Sequence, residues 1–493
     1  MQVNFGKTFI VGFEGETLSS LLKEKLLELE PAGVILYDTN LKDTLKVKKL
    51  IQDLKDLLGQ DLFVCVDQEG GKVQRLRNVS YELPSLLSLG TASRKLNKDN
   101  SFLFSNEVLD HYAKALAHQL KELGFNFVFA PCVDLDLEKT NPIINSRSLG
   151  DDYRIVAEQA KVIIKSLRAQ GIISCAKHFP GHGDSKKDSH HELPVISRTL
   201  EEELINLKPF IAAVEAEVDS IMVAHLLLEI VHSSNFDTKL IDESSISKED
   251  LQELSLVSKE KNIATSINKD LVAKELIYLL GFKGLVVSDE ITMKALNQYG
   301  NYTELSKKLL EAGNHLIIWN TNIDDALETC QKLNSLAQED YTDLYNNYEK
   351  SISKIAQTKT RLENSTDTFY NYDKKYFVDL IKTSFEELDC KPDTKFDKIL
   401  INKHPKLERE KLETVFANFE IEYLSSINTN IKKQNLLVIL FQANLDDLFT
   451  IETLKNQNSI FQVSCDVHDM SSQFNIKGAG ALHYQALKEF LAI

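Results

Sequence analysis

The sequence predicts an α/β protein: a TIM-type (β/α)8 barrel followed by a smaller αβα domain. Two observations carry this. One phrase, a helix, then a glycine, then a short apolar strand, recurs through the first two thirds of the chain, and such alternation packs helices outside parallel strands. Polar groups also sit at strand ends: Asp67 ends LFVCV, Asp134 follows FVFAPCV, Lys177 and His178 end IISCA, His225 ends SIMVA and Asp289 ends LVVS. Strands that each deliver a charged or imidazole group at the C-terminal end build one site on one face of a barrel. A doubly wound open sheet gathers its ligand groups near one switch point, and no glycine-rich phosphate fingerprint follows any strand here.

The elements follow in order. The apolar run Phe9 to Phe13 precedes a helical stretch, Leu18 to Leu29, which Pro31 and Gly33 stop before the strand Val34 to Tyr37. Val108, Tyr112, Leu116, Leu120 and Leu123 form a helical stripe before Gly124 and FNFVFAP; Val156, Ala160, Ile163 and Leu167 do so before Gly171 and IISCA. Leu276 and Leu280 precede Gly281 and GLVVSD, and Leu305, Leu309 and Ala312 precede Gly313 and HLIIW. Ile230 to Lys261 turns Ser-, Glu- and Lys-rich and reads as a solvated, partly helical excursion from the barrel. Beyond Asp324 a polar helical region through Ser351 to Arg361 leads into ENSTDTFYNYDKK, the linker. FDKILIN, NLLVILF and SIFQVSC then read as strands between helical segments such as Glu408 to Phe416 and Leu482 to Leu491. The division is a barrel over 1–345, a helical linker over 346–376 and an α/β domain without a motif over 377–493.

A formal net charge of -16 argues against a nucleic-acid groove or an anionic membrane surface as partner, since both reward clustered Lys and Arg. No window approaches the roughly 20 apolar residues that span a bilayer, and the N-terminus lacks the long apolar region of a secretory signal. Of six cysteines, Cys65, Cys132 and Cys175 fall inside apolar strand-like runs, where buried thiols are expected. These features predict a reduced, cytoplasmic protein.

Reactive side chains concentrate in Ile172 to Pro194, IISCAKHFPGHGDSKKDSHHELP, where Pro180, Gly181 and Gly183 forbid regular structure and leave the polar groups on a loop. Asp188 and His190 flank Ser189, a spacing at which the carboxylate can orient the imidazole and raise its pKa, giving a proton carrier near neutrality. A solvated histidine pair is the plainer alternative. A metal site from His178, His182, His190 and Asp184 is a third, against which stand the unfamiliar spacings and the neighbouring Lys177, Lys186 and Lys187. A carboxylate such as Asp289 at the end of an apolar strand is expensive unless used or paired, so it reads as a nucleophile or as a helix N-cap. VDQEGGKVQRLR offers Asp67, Glu69 and Arg75 as a structural ion pair or as sugar ligands, and Arg147 in NSRSLG as a loop cap or a ligand. Acids and arginines on one face suit a neutral polyol, whose hydroxyls need both donors and acceptors.

VDQEGGKVQRLR, FNFVFAPCVDLD with NPIINSRSLG, KHFPGHGD with DSHHELP, MVAH and GFKGLVVSDEITM together resemble glycoside hydrolase family 3, in particular its NagZ-type β-N-acetylhexosaminidases, over roughly Phe9 to Leu336. The resemblance implies Asp289 as the nucleophile of a retaining mechanism, His190 as general acid and base with Asp188 as its partner, and sugar contacts from Asp67, Arg75, Arg147, Lys177 and His178. It implies terminal β-linked GlcNAc as the group removed, and for a cytoplasmic enzyme muropeptides in which GlcNAc is joined to 1,6-anhydro-N-acetylmuramic acid. No metal or organic cofactor is expected. A β-N-acetylglucosaminide phosphorylase, a β-glucosidase or xylosidase of the same family, and a sugar-binding protein without turnover are the alternatives. Two departures touch the rim: Thr292 stands where serine or glutamate commonly precedes the methionine, and a proline-containing block is reduced to Ile263-Ala264-Thr265-Ser266.

Overall fold

The computed structural model describes residues 3–96, 102–104, 106–138, 141, 143–185, 193–231, 262–320, 322–339, 343–363 and four C-terminal strands. Eight strands close into a barrel: β1 (Phe9–Gly12), β2 (Gly33–Ile35), β3 (Phe63–Val66), β4 (Phe127–Val128), β5 (Ile173–Phe179), β6 (Ser220–Val223), β7 (Leu285–Glu290) and β8 (Leu316–Trp319). Every neighbouring pair is parallel, including the closing pair, with Phe9 opposite Ile317 and Val11 opposite Trp319. The fold class predicted from the chain is therefore the one observed.

Helices cover the barrel in the predicted alternation. The stripes noted above fall on Asn106–Leu123, Tyr153–Ala169 and Tyr302–Ala312, and their apolar residues are buried against the strands. Gly124, Gly171, Gly281 and Gly313 all take positive φ, from 63 to 114, as glycines that end helices before a strand should. The segment before Gly281 is a π-helix, Asp270–Leu279, where an α-helical stripe was expected.

Strand parity fixes what the barrel contains. Residues at every second position point inward, and Phe63 with Cys65, Phe127 with Phe129, Ile173 with Cys175, and Leu285 with Val287 make one interior cluster. Phe127 meets Phe63 edge-on at 5.6 Å and Phe129 at 5.0 Å. The helix Asp343–Glu363 adds Ile355 to this cluster, sets Lys359 over the Phe63 ring, and ties Arg361 to Asp219 at 2.7 Å. Phe63 opens β3, so this helix covers the N-terminal end of the barrel, and the described part of the range 346–376 lies against the barrel.

At the C-terminus, β9 (Lys398–Ile401), β10 (Ile421–Tyr423), β11 (Asn435–Phe441) and β12 (Ser459–Cys465) form a separate parallel sheet in the order β10-β9-β11-β12. Three of these strands match the sequence reading, and β10 was not foreseen. The helical segments Glu408 to Phe416 and Leu482 to Leu491 lie outside the described residues, as does the ENSTDTFYNYDKK linker after Glu363. Of the excursion from Ile230 to Lys261 only its first two residues are described; they end the strand Leu227–Val231, which pairs in parallel with Val195–Thr199.

Phe127 is fully buried with two aromatic partners, so Phe127→Ala is expected to cost roughly 3–5 kcal/mol of barrel stability. Urea unfolding followed by the fluorescence of Trp319, the chain's one tryptophan and a β8 residue, checks this. A loss under about 1 kcal/mol would contradict the interior placement.

Candidate active site

The inward parity that fills the barrel with apolar side chains continues past its last apolar layer. One step beyond Ile35, Cys65, Cys175, Val287 and Ile318 come Tyr37, Asp67, Lys177, Asp289 and Asn320, and all five line a single cavity of about 1030 Å³ at the C-terminal mouth. Arg75, Arg147 and His178 line it too, so six residues that the sequence nominates, with Asp67, Lys177 and Asp289 among them, meet at one place. Asp188 and His190 lie outside the described residues. Asp289 sits within β7 and caps no helix: the next helical turn begins at Lys294, and Asp289 Oδ1 accepts from the Glu290 N–H at 2.8 Å.

Part of the cavity wall is a charge cluster centred on Glu69, which is itself fully buried behind the lining residues. Gly70 and Gly71, with φ of 83 and 59, turn the strands Gln68–Gly70 and Val73–Gln74 back on each other and drive Glu69 into the barrel mouth. Glu69 Oε1 and Oε2 accept from Arg147 Nη2 and Nε, each at 2.8 Å. Lys177 Nζ lies 2.7 Å from Glu69 Oε1 and 2.8 Å from Asp67 Oδ1. Burial pushes the Glu69 carboxyl up, but Arg147 and Lys177 outweigh it and bring its pKa down to about 2. Burial likewise works against the Lys177 ammonium, and Asp67 with Glu69 more than restores it, so its pKa is raised. Glu69 is thus an ion-pair anchor, and Arg147 is its partner while its Nη1 also donates to the Ile143 carbonyl of its own loop at 3.3 Å.

Asp134 orients the histidines. Its carboxylate accepts from His178 Nδ1 at 2.7 Å, from the His178 N–H at 3.0 Å and from the His182 N–H at 2.7 Å. Burial opposes the Asp134 charge, the His178 imidazole and its hydrogen bond favour it, and the net effect lowers its pKa. With Nδ1 donating to Asp134, His178 presents Nε2 as the acceptor for Arg147 Nη2 at 3.3 Å. His182, a cavity residue, is held neutral, its pKa brought down to about 4 by burial and then by His178. His225, at the end of β6, does not line the cavity; it joins Ser266 Oγ at 2.7 Å to the Glu290 carbonyl at 3.1 Å.

Of the metal set suggested by the loop spacing, His190 lies outside the described residues and Asp184 forms a bidentate pair with Arg198 at 2.7 Å. Cys132, Asp134 and His178 do bring ligand atoms within 4.8 Å of one another. There the Cys132 thiol donates to Asp134 at 3.2 Å, and burial pushes its pKa up, which keeps it a thiol and a poor ligand. Tyr37, Asn320 and Glu290, which line the cavity, and Asp134, which supports it, were not singled out from the sequence as ligands. Counting every second residue from the strand ends finds the first two.

A closed parallel barrel with acids and bases paired around a cavity at its C-terminal mouth is the architecture of a TIM-barrel enzyme. The description "Glycosyl hydrolase family 3 N terminal domain" matches residues 10–344, and the chain belongs to that family and is a glycoside hydrolase. A β-hexosaminidase of Psychromonas ingrahamii is 30% identical over 311 residues, covering 63% of this chain and 81% of that protein. A β-hexosaminidase of Nitrosomonas eutropha is 28% identical over 322 residues, covering 65% and 82%. Among solved structures, a family 3 β-N-acetylglucosaminidase from Paenibacillus sp. superposes with a TM-score of 0.74 at 20% identity, over 99% of this chain and 95% of that one. NagZ from Neisseria gonorrhoeae in complex with N-trifluoroacetyl-D-glucosamine gives 0.54 at 24% identity, over 72% and 98%. Both structural likenesses concern the fold.

Glu69→Gln leaves two buried cations short of a partner and is expected to destabilise the barrel by roughly 3–5 kcal/mol. Because the folded Glu69 holds its pKa near 2 against an ordinary 4.5, its contribution is complete above pH 4.5 and is lost as pH falls through 2. Acid unfolding curves of the two proteins should therefore converge over that window. Curves that stay parallel through it would show that Glu69 is not the anchoring charge.

Proposed function

We propose that the chain is a retaining exo-β-N-acetylhexosaminidase that removes terminal non-reducing β-linked GlcNAc. The observation that carries the proposal is Asp289, the last inward acid of β7, in one cavity with Asp67, Arg75, Arg147, Lys177 and His178. The β-hexosaminidase names of relatives at 28% and 30% identity support the choice of sugar. About 1030 Å³ is at the upper end of ordinary ligand sites, which suits more than one sugar ring.

In this reading the Asp289 carboxylate attacks C1 of the GlcNAc unit while the bond from C1 to the leaving oxygen breaks. His190, partnered by Asp188, gives its proton to that oxygen and becomes neutral. The neutral imidazole next takes a proton from water, whose oxygen attacks C1 and displaces the carboxylate. GlcNAc leaves with its β configuration, and Asp289 and protonated His190 are restored. The roles of Asp188 and His190 rest on the DSHHELP resemblance. Asp67 would accept from sugar hydroxyls, while Arg75, Lys177 and Arg147 would donate to them. Muropeptides with GlcNAc on 1,6-anhydro-N-acetylmuramic acid, and with them cell-wall recycling, are the narrower reading and rest on the motif resemblance. Four buried free thiols, Cys65, Cys132, Cys175 and Cys330, support a reducing cytoplasm as its setting. No helix among the described residues is long and apolar enough to cross a membrane.

Aryl glycosides of GlcNAc, GalNAc, glucose and xylose, with purified muropeptides beside them, test the proposal. Turnover is expected to be fastest on GlcNAc, and Asp289→Ala is expected to lower it on the order of 10⁴-fold while the protein still folds. A variant with near-normal rate would remove Asp289 from the mechanism. Fastest turnover on glucose or xylose would overturn the sugar assignment.

A further inference from the structure

Two neutral polar side chains face the cavity without a hydrogen bond to any described residue, the Tyr37 phenol and the Asn320 amide. They flank Gly12, the last residue of β1: a Cβ there would lie 3.3 Å from Tyr37 Cε2 and 2.8 Å from Asn320 Oδ1, so a side chain at this position would displace the amide. The backbone of Tyr37 is pinned. Its N–H donates to Asn40 Oδ1 at 2.9 Å, and its carbonyl accepts from the Asn40 N–H at 2.8 Å. Asn40 Nδ2 in turn donates to the Phe13 and Gly15 carbonyls at 2.9 and 2.7 Å, tying the end of β2 to the end of β1. The Arg75 guanidinium lies over the Tyr37 ring, 5.9 Å from its centre. Burial, then the Asp67 and Glu290 charges, pushes the phenol's pKa well up, so it meets the cavity as an O–H donor. A fixed, protonated, unpaired donor beside an unpaired amide is a place for a substrate hydroxyl.

Stereochemistry selects the hydroxyl. Asp289 on β7 attacks C1 of a β-linked sugar from its α face, and the leaving group departs from the opposite face, which must look out of the mouth for it to escape. Seen from that side, the atoms of a D-glucopyranose ring run clockwise from C1 to C4. Parallel strands joined by right-handed crossovers run anticlockwise from β1 to β8 in the same view. With C1 at β7, C2 therefore falls towards β6, C3 towards β5, C4 opposite at β3, and C5 with its exocyclic C6 towards β2 and β1. GlcNAc at a non-reducing end has free hydroxyls on C3, C4 and C6. O4 then meets Asp67 at the end of β3 and O3 meets Lys177 and His178 of β5, which leaves O6 for Tyr37 beyond β2 and Asn320 beyond β8.

We propose that Tyr37 and Asn320 bind the exocyclic C6 hydroxymethyl group of the terminal sugar, the phenol donating to O6 and the amide oxygen accepting from the O6 hydroxyl. Tyr37 thereby selects a hexosamine over a sugar that ends at C5. The proposal rests on the reading of Asp289 as the nucleophile towards β-linked GlcNAc, and it extends that reading to the edge of the ring that the charged residues of β3 and β5 do not face.

The test uses 4-nitrophenyl β-GlcNAc with its 6-deoxy and 3-deoxy analogues. Tyr37→Phe keeps the ring and breaks no hydrogen bond to a described residue, so the protein is expected to fold. It should lower kcat/KM about three- to tenfold on the parent and on the 3-deoxy sugar, and leave the 6-deoxy sugar unchanged. Asn320→Ala should give the same pattern. The wild type should lose at least about tenfold on passing from the parent to the 6-deoxy sugar. An unchanged rate on the parent, an equal loss on the 6-deoxy sugar, or a loss that vanishes on the 3-deoxy sugar instead would overturn the proposal. The reading beneath it fails separately: a near-normal rate in Asp289→Ala, or fastest turnover on the glucoside, removes it whatever Tyr37→Phe does. If Asp289→Ala is inactive, GlcNAc is the best sugar and Tyr37→Phe shows no dependence on O6, the proposal alone fails.

Discussion

Glu69, itself fully buried, holds Arg147 and Lys177 together at the cavity wall, and the rest of the barrel mouth is arranged around that contact. Removing three charges from water costs several kcal/mol for each, and only close geometry with charge-assisted hydrogen bonds returns it. The three residues come from separate parts of the chain: a hairpin after β3, a 3-10 turn at Asn145–Arg147, and the interior of β5. The cluster therefore forms only when β3, β4 and β5 lie side by side in register.

The consequences spread outward from this cluster. Lys177, anchored by Glu69, holds Asp67 at the cavity edge, and Arg147 meets the Nε2 of a histidine whose other nitrogen is held by Asp134. Asp67, Arg147, Lys177 and His178 thus each arrive with their orientation fixed by a neighbour, which is what recognition of a polyol with directional hydroxyls needs. The N-terminal end of the barrel is covered by the helix Asp343–Glu363, through Ile355 and the Arg361–Asp219 ion pair, which leaves the cavity at the C-terminal mouth.

Much of this was legible in the chain, for physical reasons. A barrel strand buried on both sides leaves few positions for charge, so Asp67, Lys177 and Asp289 stood out at strand ends, and parity then places them inward. Glycines after helical stripes marked the turns because a left-handed residue is needed there. What the chain did not disclose depends on contacts distant in sequence. Nothing local distinguishes Glu69 as the anchor from Arg75 as a cavity residue, and Asp134 resembled His225 as one more strand-end group although neither lines the cavity. Asp184 belonged only to a disfavoured metal alternative, and its actual partner, Arg198, lies fourteen positions on. β10 escaped notice because Ile421–Tyr423 is too short to show an alternating pattern.

The central claim is that an inward carboxylate of the seventh barrel strand forms a bond to sugar. A 5-fluoro-GlcNAc fluoride traps such a bond, and digestion followed by mass spectrometry locates it. The account predicts one added sugar on the peptide that contains Asp289. An adduct on any other residue, or full inactivation with no covalent adduct, would contradict it.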